Sequence, residues 1–311
     1  MDRGRYAVDA VVIEGRSLRS VASALGVSKS WVAKQVGLFR AGGYDALAPK
    51  STAPHHRPRQ LAVELENEIV MIRKQLGEAG FDAGPLTIQY HLRQRHRTAP
   101  SRSTIHRVLV RRGFVVPQPQ KRPRGSWQRF EASLPNETWQ ADMTHWSLID
   151  GTGVEILDFV DDYSRMVTVA VVLAVTTAAD VVAAFYQGAS RYGLPASMLT
   201  DNGCIFTAQF RNGRCGFETE LATLGITIKH GKPYHPQTQG KIERFHQTLK
   251  RWLRKQKPAA SISELQQQVD YFVRYYNQTR PHSARGMIPP RQAFDALTKA
   301  SPDANAHPIA A

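Results

Sequence analysis

From Thr138 onward the apolar residues change their period in an order that leaves few folds open. Apolar and polar residues alternate near 138–148, 153–160 and 166–175, which is the signature of strands joined in hairpins. A helical stripe follows over 178–192, then a strand at 196–201, a helix around 206–224 and a short strand at 226–230. A strongly amphipathic helix through residue 243 closes the series. Three hairpin strands followed by strand–helix units suit a mixed five-stranded sheet flanked by helices. This α/β core is expected to span 131–258, with a small helical appendage and tail over 259–311.

The chain before that core reads differently. Leu18 to Phe39 places Ala22 where two helices would cross closely, Gly26 at a tight turn and Val32 as an apolar anchor. Ser28 is a good N-cap for the second helix. Residues 1–50 therefore read as a helix-turn-helix, with Ser28, Lys29, Ser30 and Lys34 facing a DNA groove or its phosphates. A Pro-bearing basic break follows, in which His55 and His56 read as linker residues. Leu61–Leu76, Leu86–Arg95 and Ser101–Arg112 then read as three helices, a second helix-turn-helix or winged-helix-like unit over 58–113. In its last helix Ile105, Val108 and Leu109 make the apolar side, while Arg102 and Arg107 stay outside. Residues 114–130 form an extended basic linker rich in proline.

Charge follows the same division. Residues 1–130 carry 23 basic and 9 acidic side chains, whereas 131–311 carry 18 and 17. A strongly basic half beside a near-neutral one suggests double-stranded DNA as partner, although bulk charge alone also fits RNA or an anionic surface. No run of 18 uncharged apolar residues occurs, and the opening Met-Asp-Arg-Gly-Arg-Tyr lacks a secretory signal's apolar segment. A soluble intracellular protein with no membrane partner is expected. Cys204 and Cys215, the only cysteines, are expected as free thiols. No His/Cys set suggests zinc.

Three acids stand out in the core. Asp142 lies in the first predicted strand, Asp201 ends the run Ser197–Thr200 just before Asn202-Gly203, and Glu243 rides the amphipathic helix. Taken singly each is ordinary surface charge. Together, carboxylates on rigid elements are what two hard cations need: oxygen donors with room left for phosphate and water. On the helix, Ile242, Phe245, Leu249, Trp252 and Leu253 form one stripe that would pack on the sheet. Gln239, Glu243, His246, Lys250 and Arg254 share one flank beside it, and Lys241 adds to a basic face. Asp161 and Asp162 read as turn residues between two strands.

The segments around these acids, Leu134–Asp142, Leu199–Gly203 and Pro233–His246, resemble bacterial insertion-sequence transposases with a retroviral-integrase-type (DDE) catalytic core. The string Tyr275-Tyr-Asn-Gln-Thr-Arg-Pro-His282 is similar to the same family's C-terminal signature. The resemblance covers about Trp127 to Leu297. It implies a multidomain chain with N-terminal all-α helix-turn-helix modules, an α/β RNase H-like catalytic core and the helical appendage. It also implies Asp142, Asp201 and Glu243 as catalytic ligands of two Mg2+ ions, with Mn2+ as substitute. Lys250 is implied to contact donor-end DNA. A homo-oligomer on DNA and a bacterial, cytoplasmic, nucleoid-associated protein follow from the same resemblance. Asp201 and Glu243 are separated by 41 residues, more than the family usually has, and Arg211–Gly216 suits an enlarged loop. Glu218 and Glu220 are rivals that precede the strand at 226–230.

Overall fold

A computed structural model describes residues 2–48, 61–115, 131–201, 203, 205–207, 215–230 and 240–302. The linker histidines, nearly all of the basic linker and the segment 231–239 lie outside the described residues. The chain divides into two compact units, Met1–Gln60 and Leu61–Ala311. Among the described residues no helix is long and apolar enough to cross a membrane.

The first unit holds α1 (Arg3–Val12), α2 (Leu18–Leu25) and α3 (Lys29–Gly42) around Ala7, Ala10, Val21, Ala22 and Val32. Gly26 stops α2 at φ +64°, a left-handed conformation that costs glycine little. Two residues on, the Ser28 hydroxyl accepts the Trp31 N–H at 3.1 Å and starts α3. The α2–turn–α3 pattern matches the sequence reading. The helix α1 that completes the small core was not anticipated by that pattern.

The second unit begins with α4 (Val63–Glu78), α5 (Pro85–Arg95) and α6 (Arg102–Arg111), packed through Ile69, Ile88, Leu92, Ile105, Val108 and Leu109. Its sheet holds β1 (Trp139–Ser147), β2 (Gly153–Asp161), β3 (Val167–Leu173), β4 (Ser197–Thr200) and β5 (Thr227–His230). The order is β3-β2-β1-β4-β5; β2 is antiparallel to both neighbours, and β4 is parallel to β1 and β5. This is the mixed five-stranded sheet of an RNase H-like core. Helices α7 (Ala178–Tyr192) and α8 (Gly216–Thr223) cover one face, α9 (Gly240–Leu253) and α10 (Ile262–Gln278) the other, and α11 (Pro290–Asp295) follows.

Strand alternation explains the two layers. In β2, Leu157 and Phe159 join Trp139, Ala141, Phe185 and Phe217, whereas Val154, Ile156 and Val160 meet Ile242, Phe245, Leu249 and Phe272. Of the helix expected around 206–224, the described part is α8 (Gly216–Thr223), and residues 208–214 lie outside the described residues. The Glu218 carboxylate accepts the Cys215 N–H at 2.9 Å, so it caps the helix start there, and residues 205–206 form a turn.

The loop between α4 and α5 is tied to the sheet-bearing part of the unit. Asp82 accepts hydrogen bonds from Arg251 at 3.0 Å and from Arg280 at 2.7 Å, and Phe81 stacks on Tyr275 with ring centroids 3.6 Å apart. On the far side, α10 shields the outer edge of β3. The Asn277 amide accepts the Val167 N–H at 2.9 Å and donates to the Val167 carbonyl at 2.8 Å. Gln266 does the same for the Val172 N–H at 2.7 Å and the Ala170 carbonyl at 3.0 Å. Both amides stand in for the missing neighbouring strand. Asn277→Ala should therefore lower the stability of this unit by about 2–4 kcal/mol, since a buried donor and acceptor lose their partner. Urea unfolding of the full chain measures this, and a loss below about 0.5 kcal/mol would mean water substitutes freely for the amide.

Candidate active site

The parallel pairing of β1 with β4 brings two of the acids together. Ala141 is in register with Thr200, and the next residue on each chain is Asp142 and Asp201. Neighbouring strands lie about 4.8 Å apart, so the two carboxylates share one locality at the end of β4. Asp142 accepts the Met143 N–H at 2.8 Å, and Asp201 accepts the Gly203 N–H at 2.9 Å. A Cβ at residue 203 would sit 2.9 Å from Asp201 Oδ1, so a side chain there would displace the Asp201 carboxylate. Burial holds the Asp142 carboxyl above the usual carboxylate range; His246 and the Met143 N–H oppose this, and the charges of Asp201 and Asp158 add to it.

Glu243 stands exposed in the first turn of α9. Its neighbour one turn on, His246, places Nδ1 3.7 Å from Asp142 Oδ2, which sets the Glu243 flank of α9 beside β1. Among the described residues no group of three or more His, Cys, Asp or Glu side chains is close enough to hold a metal. Its rivals are engaged elsewhere: Glu218 accepts the Thr207 hydroxyl at 2.7 Å and Glu220 accepts the Tyr186 hydroxyl at 2.7 Å.

The sequence reading overlooked Asp158. It lies directly opposite Asp142 across the β1–β2 pair, is 0% exposed, and has the His246 Nε2 3.0 Å from its Oδ2. Burial raises its pKa, and His246 opposes the rise. A signal was present: in β2 an Asp occupies a row otherwise made of Val154, Ile156 and Val160.

Two stretches of the chain, residues 132–236 and 224–290, match a family described as integrase core domain. The chain belongs to the integrase core family. It is 32% identical over 180 residues to the insertion element IS476 uncharacterized protein of Xanthomonas euvesicatoria, covering 55% of this chain and 48% of that protein. It is 25% identical over 293 residues to the insertion element IS407 uncharacterized protein of Burkholderia multivorans, covering 93% of this chain and 98% of that one. The chain thus spans about half the length of the first relative and nearly all of the second. It is similar to the solved catalytic core domain of HTLV-2 integrase in complex with magnesium (trimeric form), at 22% identity and TM-score 0.43, over 53% of this chain and 99% of that one.

Within the integrase core, Asp142 and Asp201 fall in the first matched stretch and Glu243 in the second. Beside the His246 ring, the carboxylate oxygens of Asp142 and Asp201 suit hard divalent ions, and the crowding of negative charge there is what a cation would relieve. Asp161 and Asp162, expected as turn residues, do end β2 but are fully buried. Asp161 takes the Asn136 N–H at 2.8 Å and the Ser164 N–H at 2.7 Å, and burial pushes its pKa up to about 6. Asp162 takes the Ala132 N–H at 2.7 Å and the Lys241 ammonium at 2.5 Å. Lys241 of the expected basic face therefore reaches inward, and burial lowers its pKa against the pull of Asp162.

The other basic candidates lie outside. Lys250 is half-buried on α9 and Arg254, just past its end, is exposed; Arg102 and Arg107 are exposed on α6. Ser28, Lys29, Ser30 and Lys34 are exposed along the start of α3.

Proposed function

We propose that this integrase-core chain is a DNA transposase of a bacterial insertion element. The observation that carries the reading is that Asp142 and Asp201 each follow the Ala141–Thr200 pair of adjacent parallel strands, with the Glu243-bearing helix set against Asp142 through His246. Asp142, Asp201 and Glu243 would hold two Mg2+ ions, with Mn2+ as substitute. The chemistry that such bound ions supply is Lewis acidity at a phosphodiester and activation of an oxygen nucleophile.

The chain's own residues do the rest. The carboxylates fix where the scissile phosphate sits, and their rigid strands keep it there through two displacements. In the first, water attacks phosphorus and the P–O3′ bond breaks, leaving a 3′-hydroxyl. In the second, that hydroxyl attacks a target phosphodiester and displaces its 3′-oxygen. Lys250 and Arg254, farther along the Glu243 flank, contact the DNA backbone. The α2–turn–α3 pair serves as a helix-turn-helix, with Lys29, Ser30 and Lys34 on the terminal repeats; Arg102 and Arg107 of α6 meet DNA phosphates. Joining two ends calls for more than one copy, so the active form is a homo-oligomer on DNA, working at the bacterial nucleoid.

The test is a cleavage and strand-transfer assay on labelled terminal-repeat DNA with Mg2+ or Mn2+. Joined products are expected. Cutting without joining would leave a nuclease, and tight binding without chemistry would leave a DNA-binding regulator.

A further inference from the structure

We propose that Asp158 and His246 form a buried clamp that positions Asp142, and with it the Glu243 helix, for metal holding. This rests on the catalytic reading above and adds to its His246 contact a residue, Asp158, that the reading leaves idle. Asp158 is 0% exposed and the His246 side chain 10% exposed. Direct opposition across an antiparallel pair aims Asp158 and Asp142 out of the same face of the sheet, about 5 Å apart. The His246 ring spans them, with Nε2 3.0 Å from Asp158 and Nδ1 3.7 Å from Asp142.

Stability does not explain the arrangement. Val154, Ile156 and Val160 fill the same row of β2 with apolar contacts to α9 and α10. A Leu at 158 would continue that row, whereas a buried carboxylate must be compensated. The compensation is slight: among the described residues the His246 ring is the polar group that meets the Asp158 carboxyl, and burial still raises its pKa. What the ring does gain is a fixed register between α9 and β1. Because Glu243 lies one turn before His246 on α9, the contact that orients Asp142 also sets the azimuth of Glu243. Partners of metal-holding carboxylates commonly act in this way. Asp158 and His246 are thus positioning residues.

The full-length chain is compared with Asp158→Leu/His246→Leu and with Asp158→Asn. Melting temperature and Mn2+ affinity, the latter from the free-ion electron paramagnetic resonance signal, are both read. The apolar double variant should melt at or above the parent, because apolar replacement of a buried carboxylate and its polar partner is commonly neutral or stabilising. Its Mn2+ dissociation constant should rise about 10–100-fold, and that of Asp158→Asn should rise as well. Unchanged Mn2+ affinity in the double variant overturns the clamp while leaving the catalytic reading in place. If the double variant does not fold, unchanged affinity in Asp158→Asn overturns it equally. A parent chain that binds Mn2+ no better than Asp142→Asn overturns the catalytic reading and the clamp with it.

Discussion

Asp142→Asn is expected to abolish cutting and joining of element-end DNA while the chain still binds that DNA and melts no lower than the parent. Losing one anionic ligand should remove several kcal/mol of transition-state charge stabilisation, and about 4 kcal/mol corresponds to a thousandfold in rate. The stability half of the expectation has a separate cause. Burial and the nearby Asp158 and Asp201 charges raise the Asp142 pKa, so the fold alone disfavours its ionised form. A neutral amide of the same shape removes that penalty. Near neutral pH the variant should therefore be as stable as the parent or more so, the usual signature of a residue kept for function. Asp201→Asn and Glu243→Gln should lose the chemistry to the same extent. Strand-transfer kinetics, filter binding and calorimetry on one set of preparations decide the matter. Activity of Asp142→Asn within tenfold of the parent would remove it from the catalytic set.

Phe245→Ala should cost about 3–5 kcal/mol of stability, the range for truncating a large buried aromatic residue. Phe245 is 1% exposed and its ring centroid lies 5.1 Å from that of Tyr276, edge to face, and 6.1 Å from that of Phe272. It therefore joins α9 to α10 as well as to the sheet. Because it is two residues from Glu243 and adjacent to His246, its loss should also weaken strand transfer at temperatures where the variant remains folded. Urea titration followed by circular dichroism gives the first number. A change below about 1 kcal/mol would show that the layer between sheet and α10 closes around the missing ring.

Much of the architecture was legible because it rests on local period. The Ile242–Phe245–Leu249–Trp252 stripe announces a helix against a sheet and is buried as a stripe. Ser28, a cap in the sequence, caps α3 by accepting the Trp31 N–H, and Ser101, read as a helix start, caps α6 by accepting the Thr104 N–H. The end of a predicted strand at Asp201 was likewise enough to mark a candidate acid. Local rules were less useful at α8, where Glu218, a rival acid in the sequence, caps the helix start instead.

Lys241 shows the other side. Its sequence neighbours Arg244, Lys250 and Arg251 make a cationic helix, and nothing local distinguishes it from them. Only the packing of α9 over the β2 end reveals Asp162 beneath it. Asp161 and Asp162 likewise look like turn acids until the entry segment near Ala132 and Asn136 folds over them and draws on their oxygens.

What the sequence determined by itself was the strand and helix series, the caps, the basic N-terminal half and the identity of three candidate acids, since period, capping chemistry and motif spacing are local properties. What the tertiary structure decided was which charges meet. Asp142 lies beside Asp201 through parallel pairing, Asp158 lies behind Asp142 through antiparallel register, and His246 reaches both from a helix far along the chain. Such contacts depend on register and helix azimuth, which no window of neighbouring residues encodes.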